Sequence, residues 1–357
     1  MTMMKLTQCA QALLEWYSAH YRMLPWRQNE DPYRIWISEI MLQQTRVEAV
    51  LRYYDRLIER CPTVFDLAEL PEDELLKLWE GLGYYSRARN LQKAARLIVE
   101  KYNGQFPADY SKLLELPGVG EYTAGAIASL AFNIAVPAVD GNVMRVLARL
   151  TADDTDVLST GAKRHFASIV TDMMPRSHAG RFNQALMELG ETVCLPNGTP
   201  NCAQCPWSPW CKAHAEGKVM SLPVRSSKKA RRVEQRVVAV VCVVGEEPRV
   251  LLHKRAENGL LANLWEFPNC LVNETDKPLP NEIMKHCVFQ KELPRSKHVF
   301  THIEWHMHGK FYMMPSGALP ENYQAVTIQE AELEYALPRA FRTYAALLPT
   351  LLQKEDI

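Results

Sequence analysis

Apolar residues recur at intervals of three and four from residue 6 to about residue 215, and Pro, Gly or Asp breaks each run. That period is the signature of amphipathic helices, so this stretch is expected to be all-α with short connections. Asp31-Pro32 reads as an N-cap and first-turn pair opening one helix, while Pro71, Asn103-Gly104 and Pro175 mark other helix ends. Within that helix the stretch 36-WISEIMLQQT-45 breaks its own pattern, because Glu39 lies among Trp36, Ile37, Ile40, Met41 and Leu42. Burying an unpaired carboxylate is costly and raises its pKa, which is what a general acid needs; the plainer alternative is a carboxylate at the wet edge of a buried helix. If the helix continued at its regular rise, Gln44 and Thr45 would lie about 7 to 9 Å beyond Glu39.

The pattern changes after residue 217. The segment 217-GKVMSLPVRSSKKARR-232 is polar, basic and nearly free of periodicity, as an exposed linker is, which puts a boundary at residues 218–233. Beyond it, 237-VVAVVCVVG-245 and 249-RVLLHKR-255 are β-branched runs around a Gly-Glu-Glu-Pro turn, and 298-HVFTHIEWHMHGKFYMM-314 alternates like paired strands. With helices expected at 281–288 and 338–353, residues 234–357 read as an α+β domain behind a helical domain of residues 1–217. A chain of 357 residues also exceeds the usual size of one hydrophobic core.

Composition adds little until it is localised. A formal charge of +0 gives no global pull toward nucleic acid or an anionic membrane, so such a partner must be met by a local patch. Arg225, Lys228, Lys229, Arg231, Arg232 and Arg236 supply one around the linker, where the competing reading is a solvated linker. No run reaches the roughly 20 apolar residues of a membrane helix, and residues 1–17 lack the marks of a signal peptide, so a cytoplasmic protein without a membrane partner is expected. Four of the nine cysteines, Cys194, Cys202, Cys205 and Cys211, fall in one short segment. In a reducing compartment that clustering argues for metal, and spacing alone leaves tetrahedral zinc and a [4Fe-4S] cluster both open.

Two further motifs carry candidate chemistry. In 113-LLELPGVGEYTAGAIASLAF-132 a helix ends, Pro-Gly-Val-Gly turns the chain and a small-residue helix begins. Gly118, Val119 and Gly120 can bring backbone amides close to an anion such as a DNA phosphate, although an ordinary helix-helix turn has the same pattern. In 135-AVPAVDGNVMRVLARL-150, Asp140 precedes an amphipathic helix as an N-cap, a role that leaves one oxygen free for a cleft.

Taken in order, 24-LPWR-27, 36-WISEIMLQQT-45, 79-WEGLGYYSRARNL-91, 116-LPGVGEYTAGAI-127, 136-VPAVDGNVMRVLAR-149, 182-FNQALMELG-190 and the cysteine loop resemble the helix-hairpin-helix DNA glycosylases, and more narrowly the MutY-type adenine DNA glycosylases. The resemblance implies an enzyme that excises adenine opposite 8-oxoguanine or guanine in double-stranded DNA, acting as a monomer in the nucleoid. It implies that Glu39 protonates the leaving adenine, that Asp140 stabilises the sugar cation, and that Tyr122 and Asn142 stand beside them. Related bifunctional enzymes hold a nucleophilic lysine at the position of Tyr122, so a monofunctional enzyme that leaves an abasic site is implied here. Gln44, Thr45, Leu82 and Tyr84 are implied to probe the duplex, with Trp26, Arg27, Gln184 and Glu188 near the base pocket. The cysteine loop is then expected to hold [4Fe-4S], although its first gap has seven residues where six are usual. The C-terminal domain resembles a Nudix domain without a Glu-rich metal box, which implies recognition of 8-oxoguanine through Phe300, Thr301 and His302 rather than hydrolysis.

Overall fold

The computed structural model describes residues 3–226, 230–272 and 277–352. Lys228 and Lys229 of the basic cluster lie outside the described residues. In chain order the helices are α1 (Met3–His20), α2 (Pro32–Leu42), α3 (Val47–Arg60), α4 (Val64–Glu69), α5 (Glu72–Leu78), α6 (Ser86–Tyr102), α7 (Tyr110–Leu114), α8 (Glu121–Phe132), α9 (Gly141–Thr151), α10 (Ala162–Met173), α11 (Ala179–Thr192) and α12 (Lys212–Ala215). The strands β1 (Arg232–Val244), β2 (Arg249–Lys254), β3 (Trp265–Glu266), β4 (Asn269–Leu271), β5 (Val288–Val299), β6 (Ile303–Pro315) and β7 (Tyr323–Val326) follow, with short helices α13 (Asn281–Met284), α14 (Ile328–Leu333), α15 (Arg342–Ala345) and α16 (Leu348–Leu351). The chain is thus all-α and then α+β. Among the described residues no helix is long and apolar enough to cross a membrane.

Two compact units divide the chain, one of Met1–Glu69 with Asn90–Ser227, the other of Leu70–Arg89 with Lys228–Ile357. The segment 70–89, helical in its sequence pattern, therefore groups with the sheet. Polar contacts explain this: Lys254 pairs with Asp73 at 2.8 Å, Lys77 donates to the carbonyl of Tyr335 at 3.0 Å, and Arg89 donates to the carbonyl of Ala262 at 2.5 Å.

The helical unit is built on apolar faces that meet in one core. Leu13, Phe166, Val170, Phe182 and Leu186 are fully buried there, from α1, α10 and α11. The α8 helix packs against α2 and α11, and α9 packs against α11. Small residues allow that closeness, since an added Cβ at Gly180 of α11 would stand 2.5 Å from the carbonyl oxygen of Ser129 on α8.

The sheet runs in the order β3-β2-β1-β6-β5, with β4 also on β1 and β7 on β2. β1 and β6 run parallel over their full length, a long-range pairing that alternation alone does not reveal. Trp305, Met307 and Phe311 face one core with Phe341 and Tyr344, while Val241 and Tyr312 face another with Ile283. Two expected helices are shorter than predicted. The first stops at Met284, because Val288 and Phe289 join β5 opposite Met313 and Tyr312. Of the region 338–353, residues 338–352 break into a 3-10 turn and two short helices, with Pro349 near the start of the last, and residue 353 lies outside the described residues.

Linker residues Leu222 and Val224 are held by the helical unit. Val157 N-H donates to the carbonyl of Val224 at 3.1 Å, and Arg149 Nε donates to the carbonyl of Leu222 at 3.0 Å. Strand β1 begins at Arg232, where Arg232 and Arg236 both engage Glu234.

Candidate active site

Asp31 accepts the N-H of Tyr33 at 2.9 Å and starts α2 as its pattern predicts. The helix ends at Leu42, and Gln44 adopts a left-handed conformation with φ 59°, so Gln44 and Thr45 lie on a turn rather than further along the helix. Packing of α2 against α3 and α8 buries Glu39, which is only 6% exposed. Tyr122, the second residue of α8, donates its hydroxyl to Glu39 Oε2 at 2.6 Å. Burial pushes the Glu39 carboxyl up to about 7, against the opposing effects of the Tyr122 hydrogen bond and the Arg27 charge, while the Asp140 charge adds to the rise. The same burial, with Glu39 and Asp140 nearby, holds the Tyr122 hydroxyl well above its ordinary range.

Asp140 caps α9, its Oδ1 accepting the N-H of Val143 at 2.8 Å. Its other oxygen accepts Asn142 Nδ2 at 2.9 Å. Burial raises the Asp140 pKa, and the N-H groups of Val143 and Asn142 oppose that rise. Asn142 is held in turn by Arg145, whose Nη2 reaches its Oδ1 at 2.9 Å and the carbonyl of Gly190 at 2.7 Å. The Nε of Arg145 continues to the carbonyl of Cys194 at 2.9 Å.

One pocket is lined by Trp26, Arg27, Glu39, Gln44, Thr45, Gly120, Tyr122, Asp140, Asn142 and Gln184. Ten residues singled out in the sequence thereby meet. Gly118, with φ +78°, turns the hairpin where a Cβ would come 2.8 Å from that of Asn90, and Val119 is buried in the same turn. Glu188 does not line the pocket. It is fully buried, binds Arg22 and Arg27, and is held below its ordinary pKa by those two guanidiniums despite burial. Gln184 accepts the hydroxyl of Tyr17 at 2.9 Å, and Trp26 packs edge-on to Tyr54.

Several contributors were not visible in the sequence. Arg22 joins Glu188 and Glu191 across more than 160 positions. Gln43 donates to Thr123 Oγ1 at 3.2 Å, and Met187 lies against the Tyr122 hydroxyl. Asn183, fully buried, fixes the segment before Asp140 by donating to the carbonyl of Val136 at 2.9 Å and accepting from Ala138 N-H at 3.2 Å. A polar residue inside an apolar helix face was the only signal for it.

Leu82, Tyr84, Phe300, Thr301 and His302 lie in the second unit. Leu82 is 7% exposed, whereas Tyr84 is 45% exposed with φ 50°. The hydroxyls of Tyr84 and Thr301 stand 3.0 Å apart. Phe300, Thr301 and His302 form the β5–β6 turn, closed by Phe300 N-H donating to the carbonyl of Ile303 at 2.8 Å. Phe300 packs on Trp305, while Thr301 and His302 are exposed.

Cys194, Cys202, Cys205 and Cys211 line one cavity with Arg149 and Trp207. Arg149 Nη1 approaches Cys194 Sγ at 3.3 Å. Among the described residues no three His, Cys, Asp or Glu side chains converge as ligands of a single ion.

The glycine hairpin leads into a helix beside the buried Glu39 and the half-buried Asp140, and the HhH-GPD superfamily of base excision DNA repair proteins matches residues 37–171. A NUDIX domain matches residues 239–347. The chain is 35% identical to the adenine DNA glycosylase of Mus musculus over 93% of this chain and 77% of that one. It is 38% identical to the adenine DNA glycosylase of Arabidopsis thaliana over 82% of this chain, spanning 55% of the plant protein. Its fold matches a non-covalent endonuclease III–DNA complex with a TM-score of 0.52 at 25% identity, over 61% of this chain and 98% of that one. The chain belongs to the adenine DNA glycosylases, enzymes that hydrolyse N-glycosyl bonds.

Proposed function

We propose that this chain, acting as a monomer, excises adenine opposite 8-oxoguanine or guanine from duplex DNA and leaves an abasic site. The observation that carries the reading is the buried Glu39, poised near neutrality at about 7 in the pocket that Asp140 also lines. Adenine leaves poorly until it is protonated, and a carboxyl titrating near the working pH is matched to giving that proton. As the bond breaks the sugar becomes cationic, and a fixed carboxylate at Asp140 would stabilise it. Burial raises Asp140 as it raises Glu39, but Asp140 accepts hydrogen bonds from both Asn142 and Val143 where Glu39 accepts one from Tyr122, so Asp140 is the better placed of the two to be ionised.

The target base is out of reach inside a duplex, so it must be flipped into the pocket. Trp26 and Arg27 would line the flipped adenine, with Gln184 beside them, and Glu188 would hold Arg27 in place. Gln44, Thr45, Leu82 and Tyr84 would probe the opened duplex, while Gly118, Val119 and Gly120 would grip a phosphate. Tyr122 supports hydrolysis without strand cleavage, because a tyrosine that donates to Glu39 supplies no amine to the sugar. A borohydride-trapped adduct as abundant as that of a true lyase contradicts this part.

In this reading residues 1–217 carry the chemistry, 218–233 join the domains and 234–357 recognise the partner base. The pairing of Tyr84 with Thr301 supports the last role, since it joins a predicted duplex probe to the predicted 8-oxoguanine turn. The cysteine loop would hold a [4Fe-4S] cluster through its four thiolates. The four thiols line one cavity with Arg149 and Trp207, and zinc is the competing occupant of the same donor set. Such a cluster supplies a rigid cross-link of the loop, and no step of base release is assigned to it. Iron content and visible absorbance of anaerobically purified protein, lost together in Cys202→Ser, test this assignment.

The experiment for the whole reading is a duplex with A opposite 8-oxoguanine, treated with alkali after incubation to cut abasic sites. The parent chain is expected to cleave it, and Glu39→Gln and Asp140→Asn to lose at least about 100-fold in rate. Full activity in either variant refutes the assigned roles.

A further inference from the structure

The pocket that takes the extruded nucleotide is lined by Glu39, Glu121, Asp140 and Glu191 and by Arg27, Arg46 and Lys163, and with Glu39 holding the proton it donates, Glu121, Asp140 and Glu191 carry the carboxylate charge. Two of these charges are already committed, Arg27 to Glu188 and Glu191 to Arg22. A backbone drawn toward such a rim brings its phosphates against carboxylate charge, and that repulsion needs an answer. Arg46 and Lys163 come from different elements, the turn before α3 and the start of α10. Both are exposed, and among the described residues neither makes an ion pair or a side-chain hydrogen bond. A cation without an intramolecular partner meets a phosphate with no ion pair to break.

We infer that Arg46 and Lys163 clamp the two backbone phosphates that flank the extruded nucleotide. Arg46 follows Gln44 and Thr45 directly, so its phosphate contact would fix the register of that probing turn. Lys163 shares the pocket lining with Asp140, Gly141 and Asn142, so its contact would hold the sugar that Asp140 must face. A guanidinium can contact a phosphate in bidentate fashion and an ammonium acts as a point charge, so Arg46 gives the more directional of the two clamps. The inference rests on the adenine-excision reading and extends it to substrate positioning.

The test is equilibrium binding of the full chain, at several salt concentrations, to a duplex with A opposite 8-oxoguanine. A fluorine at the adenosine 2′ position destabilises the sugar cation and keeps the substrate intact. Each neutralised phosphate contributes about 0.9 to the slope of log affinity against log salt. Arg46→Ala and Lys163→Ala are each expected to reduce the slope by about that amount and the double variant by about twice it. Arg46→Lys and Lys163→Arg should restore the slope, and Lys5→Ala, on α1, should leave it as in the parent. Unchanged slopes in both alanine variants, or an equal change in Lys5→Ala, overturn the clamp. Arg46→Gln and Lys163→Gln give the same readout should an alanine variant fold poorly. A parent chain that releases no adenine from unmodified duplex overturns the excision reading, whereas release with unchanged slopes in the variants overturns the clamp alone.

Discussion

The hydroxyl of Tyr122 donates a 2.6 Å hydrogen bond to Oε2 of Glu39. It favours the ionised carboxylate, so it restrains a pKa that burial would otherwise drive higher. Tyr122→Phe should therefore move the alkaline limb of the pH-rate profile upward. A hydrogen bond to a charged group is worth about 1.5–3 kcal/mol, so the expected shift is roughly one to two pH units. Single-turnover rates across pH check this, and a limb that stays put or moves down contradicts it.

Glu39 should also cost stability at neutral pH. Its folded pKa is raised from 4.5 to about 7, so its favourable contribution is complete below about 4.5 and is lost as pH rises through about 7. Glutamine does not titrate. The stability gained by Glu39→Gln over the parent should grow from pH 4.5 to pH 8, reaching on the order of 3 kcal/mol at most. Thermal melts across that range measure it; a pH-independent difference would show that Glu39 is not held protonated by its surroundings.

Gly190 is required by a neighbour rather than by its own backbone. A Cβ there would meet that of Asn142 at 2.7 Å and the Asn142 Cα at 3.3 Å. Alanine normally stabilises a helix interior by about 1 kcal/mol relative to glycine. Here Gly190→Ala should displace Asn142, the partner of Asp140, and lower excision by about tenfold or more. A variant with parental rates would mean that α9 and α11 can separate without disturbing Asp140.

Thr301→Ala removes the hydroxyl that faces Tyr84. Losing one such contact is worth about 1 kcal/mol, so the preference for 8-oxoguanine over guanine should erode by roughly fivefold while single-turnover excision is spared. Competition between the two duplexes reads the ratio, and equal discrimination in variant and parent refutes the assignment.

Local chemistry made much of this legible in the sequence. Asp31-Pro32 fixes the start of α2, and the apolar run around Glu39 announces its burial. Asp140 caps α9 as its position before an amphipathic helix requires. Long-range pairing was the hidden part, because nothing local ties Arg22 to Glu188 or sets β1 parallel to β6. Boundaries failed where two tendencies competed. Val288 went to the sheet instead of extending α13, and Gln44 left the helix at positive φ. Segment 70–89 kept its helical pattern while its polar side chains tied it to the sheet unit.

The claim that Glu39 is the general acid is tested most directly by the single-turnover rate of adenine release between pH 5 and pH 9. The parent rate should fall as pH rises through about 7, where the buried carboxyl gives up its proton, and Glu39→Gln should be slow with no such limb. A parent rate that stays level to pH 9, or the same limb in Glu39→Gln, would contradict the account.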